Sequence, residues 1–547
     1  MTSLSTTDIE PETAAGDEPA EASPRPVPEI VRRRLAPEMP SDGWFSWIGT
    51  LVVVAIAGVL RFVNLSKPPG KIFDEIYYAT EGHDMITHGV EWNATTNTGD
   101  FVVHPPLGKW LIGVGEWLFK YNEFGWRFMP AVFGTLSILI LIRITRRLFR
   151  STVLGLVAGL LMALDGMELV LSRTALLDIF LMFFILAAFG CLVLDRDARR
   201  RRWLRAIENG LDPTNPSRAG RPRTPWRQTI PWWRLAAAVM TGCAMSVKWS
   251  ALWYIFLFLF LIVIWEIGTR RSAGAPHPIR DTLLDEAGWV IGFGVIICAV
   301  YLASWTGWFV TGDGWGRAVA PGTNPVWGAL KNLIHYHKEA LHFHDTLTAH
   351  HDYQSWPWQW LLLGRPVAFY YSPAGGCGAA SCSAEVLLLG TPLLWWSFLP
   401  ALFGTAAFGI ARRDWRALTI ILGALVGIVP WFRYELLDRT MFYFYAAPAL
   451  PFLIMSVVYV LGAVMRAPAI AGARASVTER PPPGSTLWEQ FKFGYNRDPR
   501  LFYGAVGMGV YLLVIAWCFW YFWPIYTGER ITYTAWYAHM WLGGRWI

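Results

Sequence analysis

Long apolar runs separated by short polar stretches dominate the hydrophobic pattern of this chain. Each run is close to the roughly 20 residues that an α-helix needs to cross the hydrocarbon core of a membrane. The runs lack the strict alternation of outer-membrane β-barrel strands. We therefore predict an all-α polytopic membrane protein. Its eleven transmembrane helices are expected near residues 45–63, 127–147, 152–168, 175–194, 232–247, 249–267, 287–306, 386–410, 416–433, 442–465 and 501–523.

Composition agrees with this pattern. Of 547 residues, 54% are hydrophobic and only 16% are charged, whereas a soluble domain carries about a quarter charged residues. The 32 Trp residues suit a protein with many membrane–water interfaces. The net charge of +7 does not indicate a nucleic-acid partner, because the arginines cluster in loops beside the predicted spans.

The arginine clusters predict the orientation. By the positive-inside rule, Arg-rich loops lie in the cytosol, and four of them alternate correctly with the spans, at 143–150, 195–205, 268–272 and 411–416. The basic stretch that begins at 195 extends to 234, and 466–500 forms another cytosolic loop. Loops 64–126 and 307–385 are expected outside, since they hold many acids and few arginines. An odd number of spans then places the C-terminus outside.

The first 43 residues are acidic, rich in Pro, Ala and Glu, and without apolar periodicity. We predict a disordered cytosolic tail over 1–43, followed by one membrane domain over 44–547. The tail is not a cleavable signal, because the apolar run starts too late and the charge before it is mixed.

Two adjacent acids, Asp74 and Glu75, follow the first predicted span closely. One interpretation is a helix N-terminus, with Asp74 as N-cap and Glu75 favourable to the helix dipole. The other is catalytic: a carboxylate near the bilayer surface, with little water around it, is a candidate general base. Neighbouring residues point to different sides of a helix, so the two acids are expected to have different roles.

The two outside loops contain further candidate chemistry. The segment HPPLGKWLIGVGEWLF (104–119) has apolar residues at helical spacing and predicts an amphipathic helix on the outer membrane surface. Residues 335–360 hold six of the 11 His, which leaves three interpretations open: a metal site, an interfacial helix, or a surface that binds a sugar or a hydroxyl acceptor. Cys377 and Cys382 are either disulfide-bonded or two free thiols.

Several charges fall at the predicted outer ends of spans, where ionisable groups are costly and suggest function. They are Arg61, Asp165, Glu168, Arg173, Asp178, Lys248 and Arg439. Surface exposure, structural pairing or snorkelling explains each of them singly, whereas several cations converging on one pocket would suit a phosphate. No Walker A or dinucleotide-binding glycine pattern is present. An activated substrate therefore has to arrive from elsewhere, and a lipid-linked sugar phosphate fits that requirement.

Taken together, these segments resemble the protein O-mannosyltransferases that use polyprenyl-phosphate-mannose, which are membrane glycosyltransferases of the GT-C type. The resemblance runs from about Arg61 to the last span. It rests on FDE (73–75), HPPLGK (104–109), WRFMPA (126–131), SRTALLD (172–178), VKWS (247–250) and ALHFHDTL with HHDYQSWPWQW (340–360).

The resemblance implies transfer of mannose to Ser or Thr of secreted proteins, with inversion at the anomeric carbon. It implies that Asp74 is the base and that Glu75 helps to hold the acceptor. It also implies that Arg127, His344 and His351 belong to the same outside cleft. Together with the charges at the outer ends of spans and the residues of the quoted motifs, the predicted substrate-binding residues are Arg61, His104, Arg127, Arg173, Asp178, Lys248, His344, His351 and Arg439. Eukaryotic members carry a MIR domain in the long loop, for which 307–385 has no room, so a bacterial form is expected. The family's His-Pro-Tyr reads His351-Asp352-Tyr353 here.

The expected location is the cell membrane, with the active site and the C-terminus outside and the N-terminus in the cytosol. Expected partners are the lipid-linked donor, a secreted or translocating polypeptide, membrane lipids and the protein-secretion machinery. No cofactor is required in this interpretation, and a divalent metal is the alternative. A glycosyltransferase acting on a lipid or cell-wall glycan is one rival, and a transporter is another, although the halves of the chain show no internal symmetry.

Overall fold

The fold is known from a computed structural model that describes residues 27–214, 230–318, 325–373, 375–465, 489 and 499–547. These residues are mainly helical, which confirms the predicted class. The helices are α1 Glu29–Leu35, α2 Gly43–Phe62, α3 Glu75–Thr87, α4 Leu107–Phe119, α5 Glu123–Phe149, α6 Thr152–Ala163, α7 Gly166–Ser172, α8 Asp178–Glu208, α9 Trp232–Met245, α10 Ala251–Ala273, α11 Pro278–Ser304, α12 Thr306–Thr311, α13 Pro325–Thr346, α14 Pro357–Trp360, α15 Pro392–Arg412, α16 Trp415–Val426, α17 Trp431–Glu435, α18 Leu450–Val464, α19 Pro499–Thr527 and α20 Tyr533–Ala538, with 3₁₀ helices at Tyr443–Ala449 and Gly543–Arg545. The strands are β1 Trp92–Asn93, β2 Thr98–Gly99, β3 Val367–Ser372, β4 Cys382–Leu388 and β5 Arg530–Thr532.

Among the described residues, nine helical segments are long and apolar enough to cross a membrane, and the bent pair α6–α7 makes a tenth if it is one span. The one remaining predicted span, 232–247, corresponds to α9, which has 14 residues. A helix of that length spans about 21 Å, which is shorter than a hydrocarbon core of about 30 Å. The predicted segments are thus largely helical, but α9 is too short to cross alone.

The predicted span at 386–410 begins too early. Residues 382–388 form β4, the central strand of the antiparallel sheet β3–β4–β5, and α15 starts at Pro392. Val367 pairs with Leu388 on one side of β4, and Cys382 pairs with Thr532 on the other. All seven residues of β4 are buried, so its sequence lacks the alternation of a half-exposed strand. A fully buried strand and a buried helix are indistinguishable by periodicity alone.

A break between α6 and α7 bends this pair by 66°. The Asp165 carboxylate accepts a hydrogen bond from the Glu168 N–H at 3.0 Å and so caps α7. The Thr391 hydroxyl lies in the break, where it donates to the Leu164 carbonyl at 2.7 Å and accepts from the Gly166 N–H at 3.1 Å. Asp165 and Glu168 are both fully buried, so the surface-turn interpretation of these acids is wrong.

The predicted amphipathic helix over 104–119 is confirmed as α4. Its apolar side faces outward, with Trp117 71% exposed. Its polar side is buried against α3, where Lys109 pairs with Glu81 and Glu91. Such an orientation, with charges inside and apolar residues outside, is the arrangement expected of a helix at a membrane surface.

Two predicted boundaries are wrong at the end of the bundle opposite α3 and α4. Residues 29–35 form α1 and bury Leu35 beside Trp203, so the disordered tail cannot extend to residue 43. The basic loop begins later than predicted, because α8 continues to Glu208. Residues 1–26 and 215–229, and nearly all of 466–500, lie outside the described residues, so the predictions for these segments stay predictions.

Candidate active site

A buried ion pair between Glu75 and Arg127 organises the first loop. Arg127 Nε and Nη2 donate to the two carboxylate oxygens of Glu75, each at 2.8 Å. The same guanidinium donates to the carbonyls of Pro68 at 2.8 Å and Gly70 at 3.0 Å. Glu75 also accepts from the Ala175 N–H at 3.0 Å. Both side chains are fully buried, so this pair fixes the loop against α5 and the start of α8.

Asp74 stands directly before Glu75 in a different situation. It occupies the N-cap position of α3, yet its side chain makes no capping hydrogen bond, which removes the predicted capping role. Burial disfavours the charged carboxylate and raises the pKa of Asp74 to about 6; Lys248 opposes the shift and Asp178 adds to it. Asp74 therefore combines an uncommitted carboxylate with a pKa near the physiological range, as a general base requires.

The residue before Asp74, Phe73, has a backbone φ of 47°, in the left-handed region. A bulky side chain rarely adopts this conformation, and it costs on the order of 1–2 kcal/mol. Aromatic packing holds Phe73 there: its ring stacks on Phe369 with centroids 4.5 Å apart and meets the edges of Phe442 and Phe444. Tertiary contacts thus impose the turn that presents Asp74.

A cavity of about 180 Å³ is lined by Lys248 and Asp178, the two residues whose charges act on Asp74. Its histidine, acidic and basic lining residues come from distant parts of the chain, namely His104, Asp178, Lys248, His344, Asp345 and Arg439. Lys248 Nζ lies 2.7 Å from the Asp178 carboxylate and 5.4 Å from the centre of the Tyr445 ring. Trp249, Trp253, Trp431 and Tyr434 supply aromatic walls. Aromatic faces with a few convergent polar groups are typical of sites that bind organic ligands.

Two histidines and Arg439 form one wall of this cavity. The rings of His104 and His344 lie 5.4 Å apart, and Arg439 donates to the His344 carbonyl at 2.9 Å. Burial and the nearby Arg439 lower the pKa of His344 to about 4. Burial, followed by the charge of Lys248, holds the pKa of His104 well below its usual range. Both imidazoles are therefore neutral near pH 7, and the positive charge in the wall resides on Lys248 and Arg439.

Known proteins share this arrangement of loops and helices. Residues 51–211 match the family model described as dolichyl-phosphate-mannose-protein mannosyltransferase. Residues 329–546 match the C-terminal four-transmembrane region of protein O-mannosyltransferase. A polyprenol-phosphate-mannose–protein mannosyltransferase of Mycolicibacterium smegmatis is 36% identical over 92% of this chain and 93% of its own length. One of Mycobacterium tuberculosis is 34% identical, with 92% of each chain covered.

This chain belongs to the dolichyl-phosphate-mannose-protein mannosyltransferase family. It is accordingly a glycosyltransferase. The fold agrees: the structure of the S. cerevisiae protein O-mannosyltransferase Pmt1-Pmt2 complex bound to the sugar donor matches with a TM-score of 0.67 at 14% identity, over 96% of this chain and 95% of that one. Membership also covers the first loop, since Asp74 lies within the matched residues 51–211.

Three of the cations predicted to bind substrate lie elsewhere in this mannosyltransferase. Arg61 is fully buried in an ion pair with Glu168. Arg173 donates to the carbonyls that end α2, including that of Val63 at 2.8 Å. Arg127 is committed to Glu75 and the first loop. These three guanidinium groups are paired with buried acids or hydrogen-bonded to backbone carbonyls, so their placement does not support the predicted substrate contact. Glu75, whose carboxylate oxygens are all hydrogen-bonded, likewise has no oxygen left to hold an acceptor.

His351 contacts Phe73, the residue before Asp74. Its ring approaches Phe73 edge-on with centroids 6.5 Å apart, and its Nδ1 accepts from the Tyr353 N–H at 3.1 Å. This second contact closes a local turn at the position where the family pattern has proline. The structure therefore places His351 near the Asp74 turn and separates it from the lining of the cavity.

The remaining sequence candidates also have defined places. His337 bonds to the Tyr301 hydroxyl and the Leu333 carbonyl, both at 2.7 Å, and His335 stacks on Trp315. Within the described ranges, no group of three or more His, Cys, Asp or Glu side chains is placed to hold a metal ion. Cys377 and Cys382 form a disulfide, so the free-thiol alternative does not hold in this structure.

Sequence reasoning missed the aromatic residues of the site. Trp253, Trp431 and Tyr434 line the cavity, but a Trp near the end of a span looks like an ordinary interfacial anchor. Among the aromatic residues of the site, only Trp249 could have been proposed from the sequence, because it follows Lys248 in VKWS. No sequence pattern indicates the left-handed backbone of Phe73, because bulky aromatic residues rarely adopt a positive φ.

The placement of Arg61 gives a direct test of its role. Arg61→Met leaves Glu168 as an uncompensated buried charge, which typically destabilises a protein by about 3–5 kcal/mol. We expect a markedly lower melting temperature in detergent. Arg61→Met combined with Glu168→Gln should recover most of that stability, since no buried charge is then left without a partner. A double variant that is stable but has lost donor binding would return Arg61 to the substrate site.

Proposed function

We propose that this chain transfers mannose from polyprenyl-phosphate-mannose to Ser or Thr hydroxyls of secreted proteins, with inversion and with Asp74 as the general base. The observation that carries the proposal is a buried carboxylate, Asp74, within electrostatic reach of Lys248, which lines a cavity together with Arg439, in a chain of this family. The names of the mycobacterial relatives support a protein acceptor over a lipid or cell-wall glycan.

The chemical step needs a proton acceptor, because a Ser or Thr hydroxyl is a poor nucleophile. As the hydroxyl oxygen bonds to the anomeric carbon, its proton passes to the Asp74 carboxylate. The bond from that carbon to the phosphate oxygen breaks, and its electron pair leaves with polyprenyl phosphate. Because the nucleophile attacks opposite the leaving group, the configuration inverts. The transition state is oxocarbenium-like, by analogy with glycoside chemistry.

Negative charge grows on the departing phosphate, and preorganised cations stabilise it best where water is excluded. Lys248 and Arg439 supply that charge in the cavity; both are buried, at 7% and 6% exposure. Lys248 is also paired with Asp178 at 2.7 Å, which fixes its ammonium group before the donor arrives. We assign the phosphate to these two residues, with neutral His104 and His344 as hydrogen-bonding neighbours.

The lipid tail of the donor requires a sideways entrance. Leu252 and Leu341 line the cavity and are 40% and 50% exposed, so the cavity reaches the apolar outer surface of the bundle. The tail can remain in lipid while the phosphate reaches Lys248. The acceptor then approaches Asp74 from the side of His351 and Tyr353.

We further propose that the site lies outside the cell membrane and the N-terminus inside. Arginines concentrate at the end of the bundle opposite Asp74, as the positive-inside rule requires. A translocating polypeptide would reach the site in this orientation, which makes the protein-secretion machinery a proposed partner.

Asp74→Asn keeps the shape of the side chain but cannot accept the proton. We expect transfer to a Thr-rich peptide to fall about 10²–10⁴-fold, measured with labelled polyprenyl-phosphate-mannose and purified protein. Asp84→Asn, on the same helix, is the matched control and should retain activity, because Asn can still accept from the Trp92 N–H. Full activity of Asp74→Asn would remove Asp74 as the base.

The pH profile reports the same residue. The reaction needs ionised Asp74, so kcat/KM should be level above about pH 7 and fall as pH drops through about 6, approaching tenfold per unit. Asp178→Asn removes a like charge and frees Lys248, and both changes lower the pKa of Asp74. The acid limb should therefore move to lower pH in Asp178→Asn. An unmoved limb would show that another group controls it.

Lys248 and Arg439 provide the positive charge that a metal would otherwise supply. Transfer should consequently survive incubation with EDTA followed by gel filtration, assayed in metal-free buffer. Lys248→Met should lower kcat under the same conditions. Activity abolished by the chelator and restored by one divalent cation would establish the metal-dependent alternative.

Orientation can be tested by single-cysteine labelling in intact cells. A Cys introduced for exposed Thr96, in the first loop, should react with a membrane-impermeant maleimide. A Cys introduced for exposed Arg271, at the end of α10, should react only after the cells are opened. The reverse pattern would place Asp74 in the cytosol and contradict the proposal.

A further inference from the structure

A second cavity of about 370 Å³ lies at the end of the bundle opposite Asp74. Helix α8 connects the two sites: Asp178 lines the first and Arg196 the second. Eighteen residues of helix separate them, or about 27 Å at 1.5 Å per residue. Helix α1, the end of α5 and the turn between α15 and α16 complete the walls. We call this cavity the arginine groove.

The arginine groove is strongly and unevenly charged. Ten of its nineteen lining residues are arginine, and its acidic residues are Asp197 and Asp414, which gives a net charge of +8. Asp197 already pairs with Arg147 at 2.8 Å, and Asp414 pairs with Arg416 at 2.7 Å. The two acids of the groove are thus paired with only a minority of its arginines.

Three guanidinium groups of the groove have no acidic partner among the described residues. Arg34, Arg150 and Arg413 come from three separate elements, and none has a hydrogen-bond or ion-pair partner for its side chain among the described residues. Arg196 shares Asp197 with Arg147, at 3.1 Å, and the buried Nε atoms of Arg196 and Arg200 have no hydrogen-bond partner in the described part of the chain. Burial, together with the charge of Arg416, lowers the pKa of Arg150. Such a cluster is electrostatically unfavourable unless an anion offsets it.

The positive-inside rule explains the sign of these charges but not their convergence on one cavity. The position of the groove suggests its occupant. The start of α2, just after the segment that lines the groove, exposes Trp44 and Phe45 by 83% and 79%. Exposed aromatic residues of this kind mark the headgroup level of a membrane. Leu35, Leu148 and Val193 add apolar lining beside the arginines.

We propose that the arginine groove binds a phosphate group, as carried by an anionic membrane lipid. Guanidinium groups match phosphate oxygens through paired N–H donors. Basic pockets between transmembrane helices at headgroup level bind anionic lipid headgroups. The apolar lining would meet the glycerol and the first acyl carbons, and no part of this binding depends on the transfer reaction.

The test compares two charge-matched double variants of the full-length protein. Arg150→Gln with Arg413→Gln removes two groove cations, whereas Arg205→Gln with Arg271→Gln removes two exposed cations at the same end, outside the groove. Each protein is placed in nanodiscs of phosphatidylcholine with or without phosphatidylglycerol. Retained lipid is counted by native mass spectrometry, and the melting temperature is measured.

We expect phosphatidylglycerol to be retained by, and to stabilise, the wild type and the control. Its apparent affinity should fall about tenfold or more in the groove variant. Titration of pyrophosphate in neutral detergent distinguishes a soluble phosphate from a lipid headgroup as the source of the phosphate. If pyrophosphate stabilises the wild type but not the groove variant, a soluble phosphate is a sufficient ligand. If pyrophosphate has no effect, the ligand is the lipid. Equal lipid retention by the groove variant and wild type, or an equal loss in the control, would overturn the proposal.

Discussion

The buried ion pair between Glu75 and Arg127 is the constraint on which the candidate site depends. One guanidinium group binds both oxygens of the carboxylate and the carbonyls of the preceding loop, and it thereby fixes the backbone immediately before Asp74. Removing either partner would leave the other as a buried, uncompensated charge. The pair therefore preorganises the loop, so that Asp74 does not have to be ordered when a substrate binds.

The site shows how charges in a membrane protein divide into two groups. Arg61 and Arg127 are paired with acids, Arg173 donates to backbone carbonyls, and all three hold helices and loops together. Asp74 is not neutralised in this way, and burial raises its pKa to about 6. Lys248 stands between these groups, since it is paired with Asp178 and also faces the cavity. The residues proposed to take part in the reaction are therefore those whose charges are not fully compensated by neighbouring groups.

The same principle unites the two ends of the molecule. At one end, a carboxylate and two cations surround a small cavity with aromatic walls. At the other end, arginines outnumber acids around a larger groove, and Arg34, Arg150 and Arg413 have no side-chain partner among the described residues. Arginines without acidic partners at the level of lipid headgroups favour binding of an anion. A buried carboxylate without a partner favours proton transfer. Helix α8 joins both sites within one rigid element.

The sequence by itself determined the helical class, the positions of most spans, the interfacial helix α4 and the loop that carries the acid pair. Each depends on residues close together in the chain: apolar run length, helical spacing, or a local cluster of arginines. Tertiary structure decided which charged side chains are paired with a distant partner and which are not. Arg127 and Glu75 are 52 positions apart, and Lys248 and Asp178 are 70 apart, so neither pairing is visible in a local pattern. It also decided that residues 382–388 form a strand, since a buried strand and a span both consist of apolar residues. Compensation and burial depend on which distant residues meet, and only the folded chain brings them together.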